Sequence, residues 1–296
     1  MGMPSPRLFE LRRVAKLRDR SVSEILQYYA MERFLYRVGH SHYADAFVLK
    51  GGMLLRIWDV LSSRSTRDID FLAYGANDLD AMRQCMVEIC LQEVSEDGIE
   101  FDANALQVAS IKEQDEYQGV RVKFTAKFGS ARIPMQLDIG FGDAVRPEIL
   151  WEDYPVLLDA PAPRIRVYSR ESIIAEKTHA MAKLGLINSR LKDYYDIWLL
   201  SRQWPFERTA LVSAMEATFM ARMTLIPLEL AGLSPEYVRV HQAMWVNYLK
   251  KNGLRAELEL GDIVSRLEAF LLPCLNAART LDSSATRWKP SQARWE

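Results

Sequence analysis

The stretch Phe47–Tyr74, FVLKGGMLLRIWDVLSSRSTRDIDFLAY, most constrains what this chain can become. An apolar triplet, Phe47-Val48-Leu49, runs into Lys50-Gly51-Gly52. A helical pattern follows from Met53 to Val60, and a second apolar run carries Asp68 and Asp70 around Ile69. Side chains alternate between the two faces of a strand, so Asp68 and Asp70 project together while Ile69 and Phe71 point to the core. Adjacent carboxylates repel, and burying them unpaired is expensive. A shared divalent cation relieves that repulsion; magnesium suits an all-oxygen site and brings phosphates with it. The competing account is a set of salt bridges to Arg64 and Arg67.

Gly51 and Gly52 let the backbone turn sharply and approach a ligand closely. If Met53 opens a helix, its free N–H groups face that turn and form an anion site. A phosphate cradle beside a carboxylate pair is the core of a nucleotidyltransferase. A third carboxylate follows downstream. From Gly119 the pattern alternates, with Val122, Phe124, Ala126 and Phe128 on one face and Arg121, Lys123, Thr125 and Lys127 on the other. After Gly129-Ser130 a second alternating run places Ile133, Met135, Leu137 and Ile139 inward and Asp138 opposite, which reads as a hairpin. Cross-strand pairing of Asp138 with Arg121 or Lys123 is the alternative to a catalytic role.

The rest of the chain supplies the frame. Its 296 residues suffice for two modest domains, and 49% apolar with 26% charged residues is ordinary for a globular protein. No run is long and apolar enough to span a bilayer, and the N-terminus lacks a secretory pattern, so a cytoplasmic setting away from membranes is expected. Cys85, Cys90 and Cys274 have no metal-type spacing and read as reduced thiols. The histidines are scattered, which argues against a histidine-based zinc site. Net charge is −1, yet Arg7, Arg12, Arg13, Lys16, Arg18 and Arg20 crowd a short stretch against only Glu10 and Asp19. Such a basic patch meets phosphates or is a solvated helix face.

Helices are expected over residues 7–20, 24–38 (capped by Ser21 or Ser23) and 78–94 (capped by Asn77). Residues 142–163 bear prolines and read as irregular, the boundary between a sheet-containing half and a helical half. A short strand at 164–167 precedes a helix from Arg170 to Leu184, capped by Ser169, with Lys177 on its apolar stripe. A lysine there must snorkel or find an anion. In the next helix Asp193 and Asp196 share a face at i, i+3. Further helices are expected at 207–223, 235–252 and 254–272, then a loosely held tail from Asp282.

Lys50-Gly51-Gly52 with Arg64-Ser65-Thr66-Arg67-Asp68-Ile69-Asp70-Phe71 resembles the first motif of the AbiEii/AbiGii-type nucleotidyltransferase toxins, of the DNA polymerase β-like superfamily. Ala175-Glu176-Lys177 followed by Lys192-Asp193 and Asp196-Ile197 resembles that family's downstream motifs, in the right order. Where the superfamily usually has Gly-Ser, this chain has Gly-Gly. The resemblance implies an α+β fold: a polymerase β-like core with a small mixed sheet (residues 1–160), then a helical C-terminal domain (161–296). It implies that Asp68 and Asp70 hold Mg2+, with Asp138 helping to hold the metal or activating the acceptor hydroxyl as general base. The nucleotide would be held by Lys50, Gly51, Gly52, Arg67 and Lys177. Asp193 or Asp196, which the sequence does not separate, would serve the site with Lys177. The activity implied is Mg2+-dependent transfer from an NTP to a cellular acceptor, in some relatives the tRNA 3′ end, by the toxin of a toxin–antitoxin pair with a cognate antitoxin. Two other readings compete: a nucleotidyltransferase acting on a small molecule such as an antibiotic, and a binding module on the same fold without catalysis.

Overall fold

The computed structural model describes residues 6–58, 64–75, 77–113, 117–255, 257–282 and 284–296. The chain forms two compact units. One comprises Met1–Trp58, Ser65–Gly142 and Leu150–Val167, the other Asp59–Arg64, Asp143–Ile149 and Tyr168–Glu296.

The first unit opens with two helices, α1 (Pro6–Leu17) and α2 (Val22–His40). Ser21 is the cap of α2, its hydroxyl accepting from the Glu24 N–H. Helix α2 is buried without a break from Tyr28 to Val38, so its charged residues must find partners inside. Arg37 does so through two hydrogen bonds to Asp97, and Glu32 through Arg33 and the Leu157 N–H.

Next come β1 (Phe47–Lys50), a 3-10 turn (Gly51–Met53) and α3 (Leu54–Ile57). The helix expected from Met53 to Val60 is an α-helix only over Leu54–Ile57, preceded by a 3-10 turn that the left-handed backbone of Gly51 (φ 72°) starts. Residues 59–63, including Ser62 and Ser63, lie outside the described residues. Strand β2 (Asp68–Ala73) leads to α4 (Leu79–Leu91), whose cap is Asp78 rather than Asn77: the Asp78 carboxylate accepts from the Ala81 N–H. Then follow β3 (Ile99–Phe101), β4 (Gln107–Glu113), the hairpin β5 (Tyr117–Phe128) and β6 (Ala131–Phe141), β7 (Leu150–Asp153) and β8 (Arg164–Val167).

Among the described residues these strands form one mixed sheet of order β3-β5-β6-β2-β1-β8-β7, with β4 also paired to β5. β2 runs parallel to β6 and antiparallel to β1. The inward residues of the hairpin, Val122, Phe124, Leu137 and Ile139 among them, meet Ile69 and Phe71 in the core, and Phe34 of α2 packs against Phe101 and Phe124. Helix α2 thus covers one face of the sheet. The polar side chains of the central strands occupy the other. Strand β7 falls inside the segment expected to be irregular. It is an edge strand, exposed along most of its length, and carries no apolar alternation to betray it.

The second unit consists of α5 (Arg170–Leu184), α6 (Leu191–Gln203), α7 (Arg208–Ala221), α8 (Pro235–Lys251) and α9 (Leu260–Thr280), then a short hairpin, β9 (Trp288–Lys289) and β10 (Arg294–Trp295). Ser169 caps α5 as expected, accepting from the Ser172 N–H. Helix α9 starts and ends later than predicted, continuing past Pro273. The tail is held, not loose. Trp288 is fully buried and donates to the Ser201 carbonyl, and Trp295 stacks on Phe270 and donates to its carbonyl. Packing two indoles offsets the chain entropy that ordering a short tail costs.

Candidate active site

Each unit carries its own group of charged residues. In the first unit, register does the positioning. Lys50 of β1 stands opposite Asp70 of β2, Asp70 opposite Asp138 of β6, and Asp138 opposite Arg121 of β5. Residues directly paired across strands project to the same face. A row of cation, two carboxylates and cation therefore crosses four strands, with Asp68 two residues along β2 from Asp70. Their neighbours Leu49, Ile69, Phe71, Leu137 and Val122 are buried on the opposite face and anchor the row.

Asp70 is set tightly against the glycine turn. A Cβ on Gly51 would lie 2.0 Å from the Asp70 Oδ2. The carboxylate occupies the space that any side chain at position 51 would fill, so Gly51 serves both the left-handed turn and this close approach. Asp138 is held by Arg121, whose Nε and Nη2 donate to its two oxygens at 2.7 and 2.8 Å, while the Gln136 amide donates at 3.3 Å. The cross-hairpin pair weighed from the sequence is thus present, with Arg121 and not Lys123 as its partner. Lys127 faces Glu100 and Asp102 instead. Arg67 is exposed, and its carbonyl accepts from Gln27 of α2.

Among the described residues no three histidine, cysteine or acidic side chains come together as a metal cage. What is present is a pair of hard oxygen donors, Asp68 and Asp70, on one face of β2. That fits a cation that takes one or two carboxylates and completes its shell with water and phosphate, as magnesium does.

In the second unit α5 and α6 build a buried ion cluster. The Lys177 ammonium donates to Asp193 at 2.6 Å and lies 2.9 Å from Asp196. Arg64 donates to both oxygens of Asp196 at 3.0 and 2.9 Å, and the Arg190 Nε donates to Asp193 at 2.7 Å. The i, i+3 spacing on α6 aims both aspartates at one ammonium, so the lysine on the apolar stripe finds two anions rather than snorkelling. Burial alone would raise the carboxyl pKa values, but Lys177 and Arg190 hold Asp193 well below the usual range, and Arg64 and Lys177 lower Asp196. Burial opposes the Lys177 charge, and the two aspartates outweigh it, raising its pKa. Arg64, a sequence candidate for pairing with Asp68 or Asp70, is a member of this cluster. Beside it, Arg222 pairs with Asp143 at 2.9 Å and with Glu176 at 3.5 Å. Arg190 and Arg222 carried no sequence signal, since each acts through a partner set by the fold of the helices.

The mixed α+β fold followed by a helical unit agrees with the architecture expected from the sequence. Residues 33–271 match the family model described as nucleotidyl transferase AbiEii toxin, type IV TA system, and the chain belongs to this family. No curated protein matches the chain. Among solved structures, JHP933 from Helicobacter pylori aligns at 14% identity and a TM-score of 0.47, over 88% of this chain and 95% of that one. A second Helicobacter pylori structure, provisionally described as a nucleotidyltransferase, aligns at 15% identity and a TM-score of 0.47, over 89% of this chain and 100% of the other. No helix among the described residues is long and apolar enough to cross a membrane.

Proposed function

We propose that this nucleotidyltransferase toxin transfers a nucleotide from an NTP to an RNA acceptor in a Mg2+-dependent reaction, with tRNA as the leading candidate. The observation that carries the reading is the alignment of Asp68, Asp70 and Asp138 on one face of neighbouring strands, with Asp70 seated on Gly51. Asp68 and Asp70 would hold the ion, which would supply neutralising charge to the triphosphate. Asp138, oriented by Arg121, would be the third carboxylate of the site and would help with the metal or act as base for the acceptor hydroxyl. Gly51 and Gly52 offer backbone N–H groups at close range, in place of the hydroxyl that a Gly-Ser pair would supply. Lys50 and Arg67 supply positive charge to the phosphates. Lys177, with Asp193 and Asp196 fixing its ammonium, is assigned to the triphosphate by its motif. A cognate antitoxin follows from membership of a type IV toxin–antitoxin family.

The test is incubation with each labelled NTP, Mg2+ and total cell RNA, followed by a gel. Wild type should label a discrete RNA band, and labelling should stop on chelation and in Asp70→Asn, which keeps the shape and removes the charge. A loss of at least ~100-fold is expected for a side chain acting on transition-state charge, as for other such electrostatic contributors. Equal labelling by wild type and Asp70→Asn would overturn the metal assignment. Labelling of a small-molecule acceptor with no effect of added salt would overturn the RNA reading.

A further inference from the structure

The charge of this chain is unevenly spread. Residues 7–20 hold six cations against two carboxylates, whereas the whole chain has a net charge of −1. Helix α1 buries Leu11 and Ala15 against α2. Phe9, Arg12, Arg13 and Lys16, at i, i+3, i+4 and i+7, therefore share the face turned to solvent. All four are exposed, Phe9 by 70%. Among the described residues no hydrogen bond, ion pair or ring contact engages the side chains of Arg12, Arg13, Lys16 or Phe9. Elsewhere in the first unit Arg33, Arg37, Arg121 and Lys127 face carboxylates, while Arg67, Lys123 and Arg132 are exposed like the cations of α1 but are not gathered on one helix face.

We propose that this face of α1 is the docking surface for the RNA acceptor, with Arg12, Arg13 and Lys16 on its phosphates and Phe9 stacked on an unpaired base. The proposal rests on the RNA-transferase reading above and adds where the acceptor is gripped. Three features of the face favour it. Its charge is complementary to a polyanion, which gains affinity by releasing counterions. An exposed aromatic ring among cations is the arrangement that holds single-stranded nucleic acid, where every base offers a face to stack on. And α1 packs on α2, the helix that braces the site. Gln27 and Tyr28 of α2 hold the backbone at Arg67 and Thr66, just ahead of Asp68. The turn joining α1 to α2 lies only about 9 Å along the helix from Gln27. An anionic membrane is the weaker match, because insertion needs an apolar stripe and the large apolar side chains that α1 exposes are only Phe9 and Leu17.

The test uses the full chain and a fluorescently labelled single-stranded RNA, with binding read by anisotropy across a salt series. Vesicles containing phosphatidylserine form a parallel arm. Arg12→Gln/Arg13→Gln/Lys16→Gln should weaken RNA binding on the order of 100-fold at about 0.1 M salt and flatten the salt slope by about 2, roughly 0.7 for each phosphate no longer neutralised. Phe9→Ala should weaken single-strand binding while leaving the salt slope unchanged. Both variants alter only exposed side chains, and circular dichroism checks that they fold. Unchanged RNA affinity and slope in the triple variant would overturn the proposal, as would wild-type binding to the vesicles but not to RNA. Transfer is measured separately. A wild type that binds RNA through α1 but labels no acceptor would sink the enzymatic reading and leave the docking surface standing. Normal labelling with normal RNA affinity in the triple variant would do the reverse.

Discussion

Asp70 can stand where it does because residue 51 has no side chain. Gly51→Ala is the sharpest test of that fit: its backbone is left-handed, and its new methyl group would meet the Asp70 Oδ2 at 2.0 Å. The left-handed conformation alone should destabilise the fold by about 1–2 kcal/mol. The larger effect should be on activity, since the carboxylate must move. Nucleotide transfer should fall at least as far as in Asp70→Asn, while thermal melting still shows a folded protein. Full activity in Gly51→Ala would mean that the position of Asp70 is irrelevant to catalysis. Residues of this kind were legible in the sequence because their signals are local. A period of two put Asp68 and Asp70 together, a second such period raised Asp138, and a three-residue step on a helix paired Asp193 with Asp196. Arg64, Arg121 and Arg190 were harder. An arginine is compatible with nearly any surface position, and only the packed chain decides which carboxylate it meets.

At the scale of elements, those with a strong apolar period were well read, and those held by tertiary packing were not. Helices α2 and α5 and the β5–β6 hairpin fall close to where the sequence put them, since each has one face to bury. Strand β7 has no such face. The closing β9–β10 hairpin has only a few residues, and its anchors, Phe206, Phe270 and Ser201, lie far away along the chain. Trp288→Ala should therefore cost about 3–5 kcal/mol, the range for emptying a buried indole site. The loss should appear as a lower urea midpoint. A change within about 0.5 kcal/mol, as at an ordinary surface site, would show that the hairpin merely decorates the helices.

For the whole molecule, buried ionisable groups set a pH profile for stability. Asp193 and Asp196 have lowered pKa values in the fold, so their contribution is complete above their unfolded value of about 3.9 and is lost as acid titrates them below it. Glu32 acts in the opposite sense. Burial raises its pKa to about 7 despite the neighbouring Arg33, so the folded state binds the proton more tightly than the unfolded chain. Stability should then fall as pH rises from about 4.3, the unfolded value, to about 7, and level off above. Urea midpoints measured across this window should show the decline, and Glu32→Gln, which keeps an oxygen for the Leu157 N–H, should flatten it. An unchanged slope in that variant would remove Glu32 as its source.

The way the backbone is shared between the two units has a consequence for the gene. Arg64 and the segment Asp143–Ile149 belong with the helices but are encoded inside the stretch that makes the sheet. No single stop codon or internal start can therefore yield either half intact. A product ending at Val167 would carry these parts orphaned, and one beginning at Tyr168 would lack them, including the Arg64 that neutralises Asp196. Truncation should silence this toxin outright and leave no working fragment behind.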